Sequence, residues 1–411
     1  MMRFLHLADV HLDTPFAGRE PEVRTRLRDA VREAFRRAVD LALEESLDAF
    51  VIAGDLFDGE TFTFETERFL VEQLGRLTRR GVTVVYATGN HDPGEETARR
   101  RPEWPDGVHV ADGSHPVRVQ VHDREGRFTG WITAIGHATA REAADLSPRF
   151  PRPDGFLPEV AVLHAQVTSS NGAEAHDRYA PTTVDALRTR GFDYWALGHV
   201  HRRQELLSEP SIHYPGNLQG RTPAESGPRG ALIVELAGGR PAQVRFRALG
   251  PVRWETIDVG GLDEAESLDA LIRAIAGRWR ERLDDEPGVR ADWMVRVRLI
   301  GGSPLWRVLR SEEERHTLES ELALELDAIE VTVDAEAIHA PVDPERHIDR
   351  DDALGLALHE LARLREGGGD PGRFESELQG WDPRECTVQE YLTRLLAGAD
   401  ADLVSRMVRS D

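Results

Sequence analysis

Phe50-Val51-Ile52-Ala53-Gly54-Asp55-Leu56-Phe57-Asp58 decides the fold class of this 411-residue chain. Four apolar residues read as a short buried strand, the glycine lets the backbone turn sharply, and two carboxylates follow. Helical spacing flanks the stretch on both sides. From Glu22 to Glu45, Val23, Leu27, Val31, Phe35, Val39 and Ala42 recur at three- and four-residue steps. From Phe64 to Arg80, Phe69, Leu70, Leu74 and Leu77 do the same, and Gly81 ends the run. Phe4 to Ala8 and the β-branched Val82 to Ala87 read as further strands. This alternating order predicts parallel strands covered by helices.

Four other stretches share the design of an apolar run ending in metal-type side chains. They are Asp9-Val10-His11, Gly89-Asn90-His91-Asp92, Val162-Leu163-His164 and Gly198-His199-Val200-His201. Ligands gather at the carboxyl ends of strands in parallel α/β sheets, so the five stretches are expected to converge on one crevice. Asp9 and His11 are two apart, and in an extended segment such residues point the same way; His199 and His201 repeat the spacing. Gly89 and Gly198 are expected to offer the same turning freedom as Gly54.

Imidazole, carboxylate and amide oxygen without thiolate suit Mn²⁺ or Fe²⁺, with Zn²⁺ also compatible and Mg²⁺ less so. Two cations about 3.5–4 Å apart can share a carboxylate and an activated water, an arrangement built for in-line attack on a phosphate ester. Each stretch alone has a blander reading. A strand-end histidine is usually structural, and Asp9 or Asp55-Leu56-Phe57-Asp58 would serve as a cap or turn. Co-occurrence in order, each after an apolar run, carries the metal reading. His6, His122, His137, His176 and His213 lack that context and read as structural.

Further along, Val117 to His122, Gly130 to Ile135, Ala161 to Leu163 and Tyr194 to Leu197 read as strands, with a helix at Thr183 to Arg190. Ala231 to Leu236 and Val244 to Phe246 form a hairpin pattern about Gly238-Gly239, and a first domain is expected to span 1–250. Residues 251–340 read as a β-α-β-α-β module: Trp254 to Val259, Leu268 to Leu283, Trp293 to Leu299, Glu313 to Leu326 and Ile329 to Val333. Residues 341–411 are mostly helical. Asp352 to Arg365 is amphipathic, Gly367 to Gly372 is a flexible break, and one or two helices follow from Val388 to Met407.

The formal net charge is −22, from 73 acidic and 51 basic residues, and every basic residue is Arg. A protein that grips DNA unaided usually has a strong basic balance. Any nucleic-acid contact is therefore expected to be local, metal-assisted or helped by a partner. The single cysteine, Cys386, excludes an intramolecular disulfide and fits a reducing compartment. No apolar run approaches membrane-spanning length and no leader pattern stands at Met1, so a cytoplasmic protein with no membrane partner is expected.

The ordered set D-x-H, GDxxD, GNHD, a lone His and GHxH resembles the calcineurin-like metallophosphoesterase family across roughly the first 200 residues. Ala8-Asp9-Val10-His11-Leu12-Asp13-Thr14-Pro15-Phe16 and Tyr214-Pro215-Gly216-Asn217-Leu218-Gln219-Gly220-Arg221 resemble its DNA-repair exonuclease branch, the SbcD and YhaO type. The resemblance implies an α/β fold: a four-layer αββα core, a small α/β capping module and a helical C-terminal tail. It implies two divalent metal ions, Mn²⁺ expected. Asp9, His11, Asp55 and His201 would hold one, and Asn90, His164 and His199 the other, with Asp55 bridging. His91 would protonate the leaving 3′-oxygen, and Asp92 would orient His91 through a hydrogen bond. Asp58 stands where archaeal and eukaryotic repair nucleases usually carry His, so a second catalytic histidine from that loop is absent.

The implied partners are DNA, an SMC-like coiled-coil ATPase docked on the tail, and a second copy of the chain. Arg296 and Arg298 alternate on one strand and would meet phosphates or simply face solvent. Leu354, Leu358, Leu361 and Leu364 form an apolar stripe that would dock on the partner or pack on the chain itself. Three functions compete: a metal-dependent DNA exonuclease, 3′→5′ with some endonuclease activity; a hydrolase of small phosphoesters or cyclic nucleotides; and a scaffold with a vestigial site. The intact ligand set disfavours the scaffold.

Overall fold

A computed structural model describes residues 1–59, 62–97, 102–171, 178–238, 240–286, 289–365, 387–396 and 398–408. His176, Cys386 and the Gly367 to Gly372 break lie outside them. The chain divides into two compact units, Met1–Trp254 and Glu255–Asp411.

The first unit holds two six-stranded sheets. In one, β1 (Met2–Leu7), β2 (Ala49–Ala53), β3 (Thr83–Ala87) and β4 (Val108–Ala111) run parallel in chain order. β1 and β2 are linked by α1 (Pro21–Glu44), β2 and β3 by α2 (Phe64–Thr78), and a single turn, α3 (Gly94–Thr97), precedes β4. The other sheet has the order β5 (Val117–His122), β6 (Phe128–Ile135), β7 (Glu159–His164), β8 (Tyr194–Gly198), β10 (Ser211–Tyr214), β9 (Gln204–Leu207). Its central strands β6, β7, β8 and β10 are parallel, and α4 (Val184–Arg188) precedes β8. The hairpin of β11 (Gly230–Leu236) and β12 (Gln243–Ala248) returns to the first sheet and pairs antiparallel with β1.

Alternation along the strands makes four layers. Phe4, Val51 and Val85 of the first sheet meet Ile132, Val160, Val162 and Tyr194 of the second in one buried cluster. The intervening residues face outward. Phe50 takes the edge of Phe35 from α1 at 6.0 Å between ring centres. Trp195, Leu163 and Leu197 pack under Phe150, Leu187 and Phe192. Both faces of each sheet are therefore apolar, which is why its strands read as continuous runs. Burying a side chain such as Phe35 contributes about 1.5–3 kcal/mol. Among the described residues the outer cover of the second sheet includes the five-residue α4, the turn at Ser147–Arg149 and loop residues such as Val167 and Ala180.

β4, β9 and β10 were not expected from the sequence. Each has four residues, too short for a period to show against its loops. The single-turn α3, also four residues, was not expected either, and the other first-unit elements begin and end within a few residues of their expected positions.

β13 (Val252–Val259) runs across the division at Trp254, and α5 (Leu268–Asp284), β14 (Asp292–Leu299), the strand-bridge residues β15 (Gly301–Gly302), α6 (Glu312–Glu325), β16 (Ala328–Asp334) and β17 (Ile338–His339) follow in order in the second unit. Ser267 and Ser311 cap the two helices with their hydroxyls. β13, β14 and β16 form a sheet, with β14 and β16 parallel. Val297, Leu299, Ile275 and Leu318 share its core. Arg296 and Arg298 are both ion-paired, to Asp334 at 2.6 Å and to Asp258 at 2.6 Å. That favours the solvent-facing reading of the pair. The tail contributes α7 (Ala353–Arg365), α8 (Val388–Leu395) and α9 (Ala399–Met407). Leu354 and Leu358 of the expected stripe are buried against Val404 of α9, so part of it is covered by the chain itself.

Candidate metal centre

All five sequence stretches leave the carboxyl ends of parallel strands, three from one sheet and two from the other. Asp9 and His11 follow β1, Asp55 follows β2, Asn90 and His91 follow β3, His164 ends β7, and His199 and His201 follow β8. The crevice lies where the two facing sheets present these ends together.

The expected extended geometry of Asp9 and His11 is not what brings them together. Both sit in left-handed backbone, at φ 51° and 51°, as do Asp55 at 52° and His199 at 102°. Such conformations cost on the order of 1–3 kcal/mol each and cluster at functional sites. The backbone is held by long-range hydrogen bonds. Asp9 N donates to Gly54 O at 3.1 Å, and His11 N to Asp55 O at 3.0 Å. His199 N donates to both Asp9 oxygens, at 3.0 and 3.2 Å.

The three motif glycines act differently from one another. Gly54 has φ +89°, a conformation that favours glycine. Gly89 and Gly198 have ordinary φ and are needed for space. A Cβ on Gly89 would collide with the Asp55 carboxylate, and one on Gly198 with Ala53 O and the His164 ring.

The donor atoms converge as follows. His11 Nε2 lies 3.3 Å from His201 Nε2 and 3.6 Å from Asp55 Oδ2. His201 Nε2 is 3.8 Å from Asp9 Oδ1. On the other side, Asn90 Oδ1 is 3.0 Å from His164 Nε2 and 3.2 Å from His199 Nδ1, and His164 Nε2 is 3.4 Å from Asp55 Oδ2. Asp55 thus stands between two groups of donors. Asp9, His11 and His201 form one set able to hold a metal ion, and Asp9, Asp55 and His164 another.

Three of the four rings are fixed by an acceptor on the other nitrogen. His11 Nδ1 donates to Asp58 at 2.8 Å, His201 Nδ1 to Glu225 at 2.6 Å, and His164 Nδ1 to Ala53 O at 2.9 Å. The Nε2 atoms of His11 and His201 therefore both carry lone pairs, and at 3.3 Å these repel. A cation between them removes the conflict. Adjacent donors about 2.0–2.2 Å from one ion stand about 3 Å apart. The donor set fits divalent metal.

The electrostatics agree. Burial pushes the Asp9 carboxyl up, and the charge of Asp55 adds to it. Asp55 is also buried, but His164, His11 and His91 hold its carboxyl well below the ordinary range. Burial opposes the charge of His164, yet Asp55 and Asp9 raise it to about 9. Burial lowers His201 to about 3, despite Glu225, and lowers His11. His11 and His201 stay neutral beside the two buried carboxylates, and a cation supplies the positive charge that these rings do not.

His91 reaches the crevice, but Asp92 does not orient it. Asp92 is fully buried and accepts from Gly89 N at 2.6 Å, Leu56 N at 2.5 Å and Tyr86 Oη at 2.5 Å. Its oxygens are occupied in clamping the backbone turns after β2 and β3. His91 Nδ1 pairs with Asp58 Oδ1 at 3.1 Å instead. The sequence order placed Asp92 next to His91, and the fold turned it inward. Glu225 also went unnoticed, having no motif around it. His6 and His137 are structural as expected: His6 meets Tyr194 Oη and Leu197 O, and His137 Nε2 meets His164 O.

The profile of the calcineurin-like phosphoesterase family matches residues 2–203. The chain is 33% identical over 311 residues to the uncharacterized metallophosphoesterase YhaO of Bacillus subtilis strain 168, covering 74% of this chain and 73% of YhaO. It is 28% identical over 328 residues to the DNA double-strand break repair protein Mre11 of Methanopyrus kandleri, covering 74% and 66%. It is 29% identical over 298 residues to the SbcD component of the nuclease SbcCD of Rhodobacter capsulatus, covering 58% and 67%. The chain belongs to the calcineurin-like metallophosphoesterase family. It is a metal-dependent hydrolase acting on phosphoester bonds.

Proposed function

We propose that the protein is a two-metal DNA exonuclease, working 3′→5′ with some endonuclease activity, in DNA repair. The observation that carries this reading is the crevice around the donors. It is open and encloses about 1530 Å³, and Arg141, Arg202, Arg203 and Arg221 line it. Sites for small molecules typically enclose about 300–1,000 Å³. The crevice suits a longer phosphate-bearing chain, and its arginines put local positive charge on an acidic protein. Similarity to Mre11 and to the SbcD component of SbcCD supports the same reading.

In this proposal Asp9, His11, Asp55 and His201 hold one divalent ion, Mn²⁺ in the working enzyme. Asn90, His164 and His199 hold the second, with Asp55 between them. Bound there, the ions would offset charge developing on the phosphate and lower the pKa of an attacking water. The chain's own groups do the rest. Asp58, Glu225 and Ala53 O orient the His11, His201 and His164 rings, and the apolar sheet cores exclude water from behind them. His91 stands at the crevice, held by Asp58, and donates a proton to the leaving 3′-oxygen.

The wider assignments extend this reading. Residues 251–340 cap the site and select DNA ends. The tail, 341–411, docks on the coiled-coil base of an SMC-like ATPase, and the working unit is a homodimer in the cytoplasm. A substrate panel tests the core of the proposal. Purified protein with Mn²⁺, Fe²⁺ or Zn²⁺ is given end-labelled DNA, cyclic nucleotides and phosphomonoesters. DNA shortened from its 3′ end is expected. Fast turnover of small esters with intact DNA would replace the nuclease with a small-ester hydrolase.

A further inference from the structure

We propose that Arg221 grips a non-bridging oxygen of the phosphodiester being cleaved. The inference rests on reading the site as a phosphodiesterase centre.

Arg221 lies in the loop after β10, and the backbone of that loop is tightly held. The buried Asn217 side chain donates to Gln219 O at 2.8 Å. Gln219, also buried, donates to Val252 O at 2.7 Å. Gly220 O accepts from Trp254 Nε1 at 2.9 Å, and a Cβ on Gly220 would stand 2.8 Å from that ring. Arg221 N itself donates to Glu225 Oε2 at 2.6 Å. So the stem of Arg221 is fixed while its side chain lines the crevice with Asp55, Asn90 and His91.

The guanidinium is under-used. Nη1 reaches Thr14 Oγ1 at 3.4 Å, the long limit of a hydrogen bond. Nε is buried and has no partner among the described residues. Among the described residues Arg221 has no ion pair. Glu225, the carboxylate nearest its own backbone, is committed elsewhere: Oε1 takes His201 and Oε2 takes the backbone N–H groups of Arg221 and Thr222. The part-buried guanidinium nevertheless lies close enough for its charge to act on Asp9, His11 and Asp58. A part-buried cation with under-used donors beside a metal-type site suits a phosphate oxygen, which the planar fork matches.

The neighbouring arginines differ. Arg229 spends its donors on His201 O, Asn217 Oδ1, Glu225 O and Ser226 O, and so braces the loop. Arg203 lies over the Phe246 ring, 3.9 Å from its centre.

The test uses the Mn²⁺-loaded full chain, with Arg221→Gln and Arg221→Lys beside the wild type. Calorimetry measures binding of Mn²⁺ and then of inorganic phosphate, and kcat/KM is measured on labelled DNA. Mn²⁺ affinity and melting temperature are expected to stay near wild type. Phosphate binding and kcat/KM should fall about tenfold to a hundredfold in Arg221→Gln, the loss of one charge-assisted contact. Arg221→Lys should recover part of that loss. Wild-type phosphate affinity in Arg221→Gln overturns the proposal. So does parallel loss of Mn²⁺ binding, which would make Arg221 a support for the ligands. If phosphate binding falls as expected but even the wild type leaves DNA intact, the Arg221 role stands and the nuclease reading fails.

Discussion

One carboxylate oxygen serves two imidazoles: Asp58 Oδ1 is 2.8 Å from His11 Nδ1 and 3.1 Å from His91 Nδ1. It fixes a candidate ligand and the candidate acid in one contact. The bond to Asp58, with Asp55 adding to it, raises the His91 pKa above its ordinary value and favours the protonated ring. A general acid matters most when the leaving group is poor. His91→Gln should therefore slow DNA cleavage about 10²–10⁴-fold. An aryl phosphodiester with a good leaving group should lose far less, and Mn²⁺ binding should persist. Equal losses on both substrates would remove His91 from the proton-donor role.

Asp58→Ala acts on both rings. It should weaken Mn²⁺ binding about 10–100-fold, the usual cost of losing a carboxylate behind a ligand histidine. Titration calorimetry reads this directly, and unchanged affinity would show that His11 needs no support.

Metal binding should depend on pH. In the metal-free protein the His164 pKa is raised to about 9, and the ring must lose its proton to bind a cation. Mn²⁺ affinity is therefore expected to rise as pH increases from about 6.5 towards about 9, with proton release into the buffer. Stability of the metal-free protein has the opposite sign. The His164 contribution is fully present below about 6.5 and is lost as pH rises through about 9. Affinity that stays flat across this window would contradict the placement of His164 at the metal.

Gly198→Ala should be severe although its φ is ordinary. The added methyl meets Ala53 O and the His164 ring, both in the buried strand ends. Overpacking of this kind costs about 1–3 kcal/mol. Urea unfolding should show the loss, and metal binding should fall with it. A variant with wild-type stability would mean that the sheet ends can separate to admit a side chain.

Arg298→Ala should behave oppositely to Arg221→Gln. Its guanidinium is already paired with Asp258 on an exposed strand face, and such pairs contribute little. DNA cleavage within about twofold of wild type is expected. A loss as large as that of Arg221→Gln would return this strand to the DNA-contact surface.

Most of the first unit was legible in the sequence because its strands are apolar on both faces. Ala49–Ala53 and Tyr194–Gly198 are buried throughout, so nothing polar interrupts them until the site begins. What stayed hidden was set by contacts between distant residues. The left-handed turns at Asp9 and His199 depend on a bond spanning 190 positions. Asp92 was separated from its neighbour His91 by the pull of Gly89 N, Leu56 N and Tyr86. Asp58, read as the second carboxylate of its motif and as a departure from the archaeal and eukaryotic repair nucleases, proved to be the partner of both histidines. Arg221 stood in a recognised stretch, but only the fold shows its donors idle.

The decisive measurement is release of nucleotides from end-labelled DNA by pure protein with Mn²⁺, beside Asp55→Asn. Asp55 lies between the two donor groups, within 3.6 Å of His11 Nε2 and 3.4 Å of His164 Nε2. A two-metal nuclease mechanism requires steady Mn²⁺-dependent release by wild type, abolished by chelator, and none above background from Asp55→Asn. Release by Asp55→Asn at the wild-type rate, or by wild type after chelation, would contradict it.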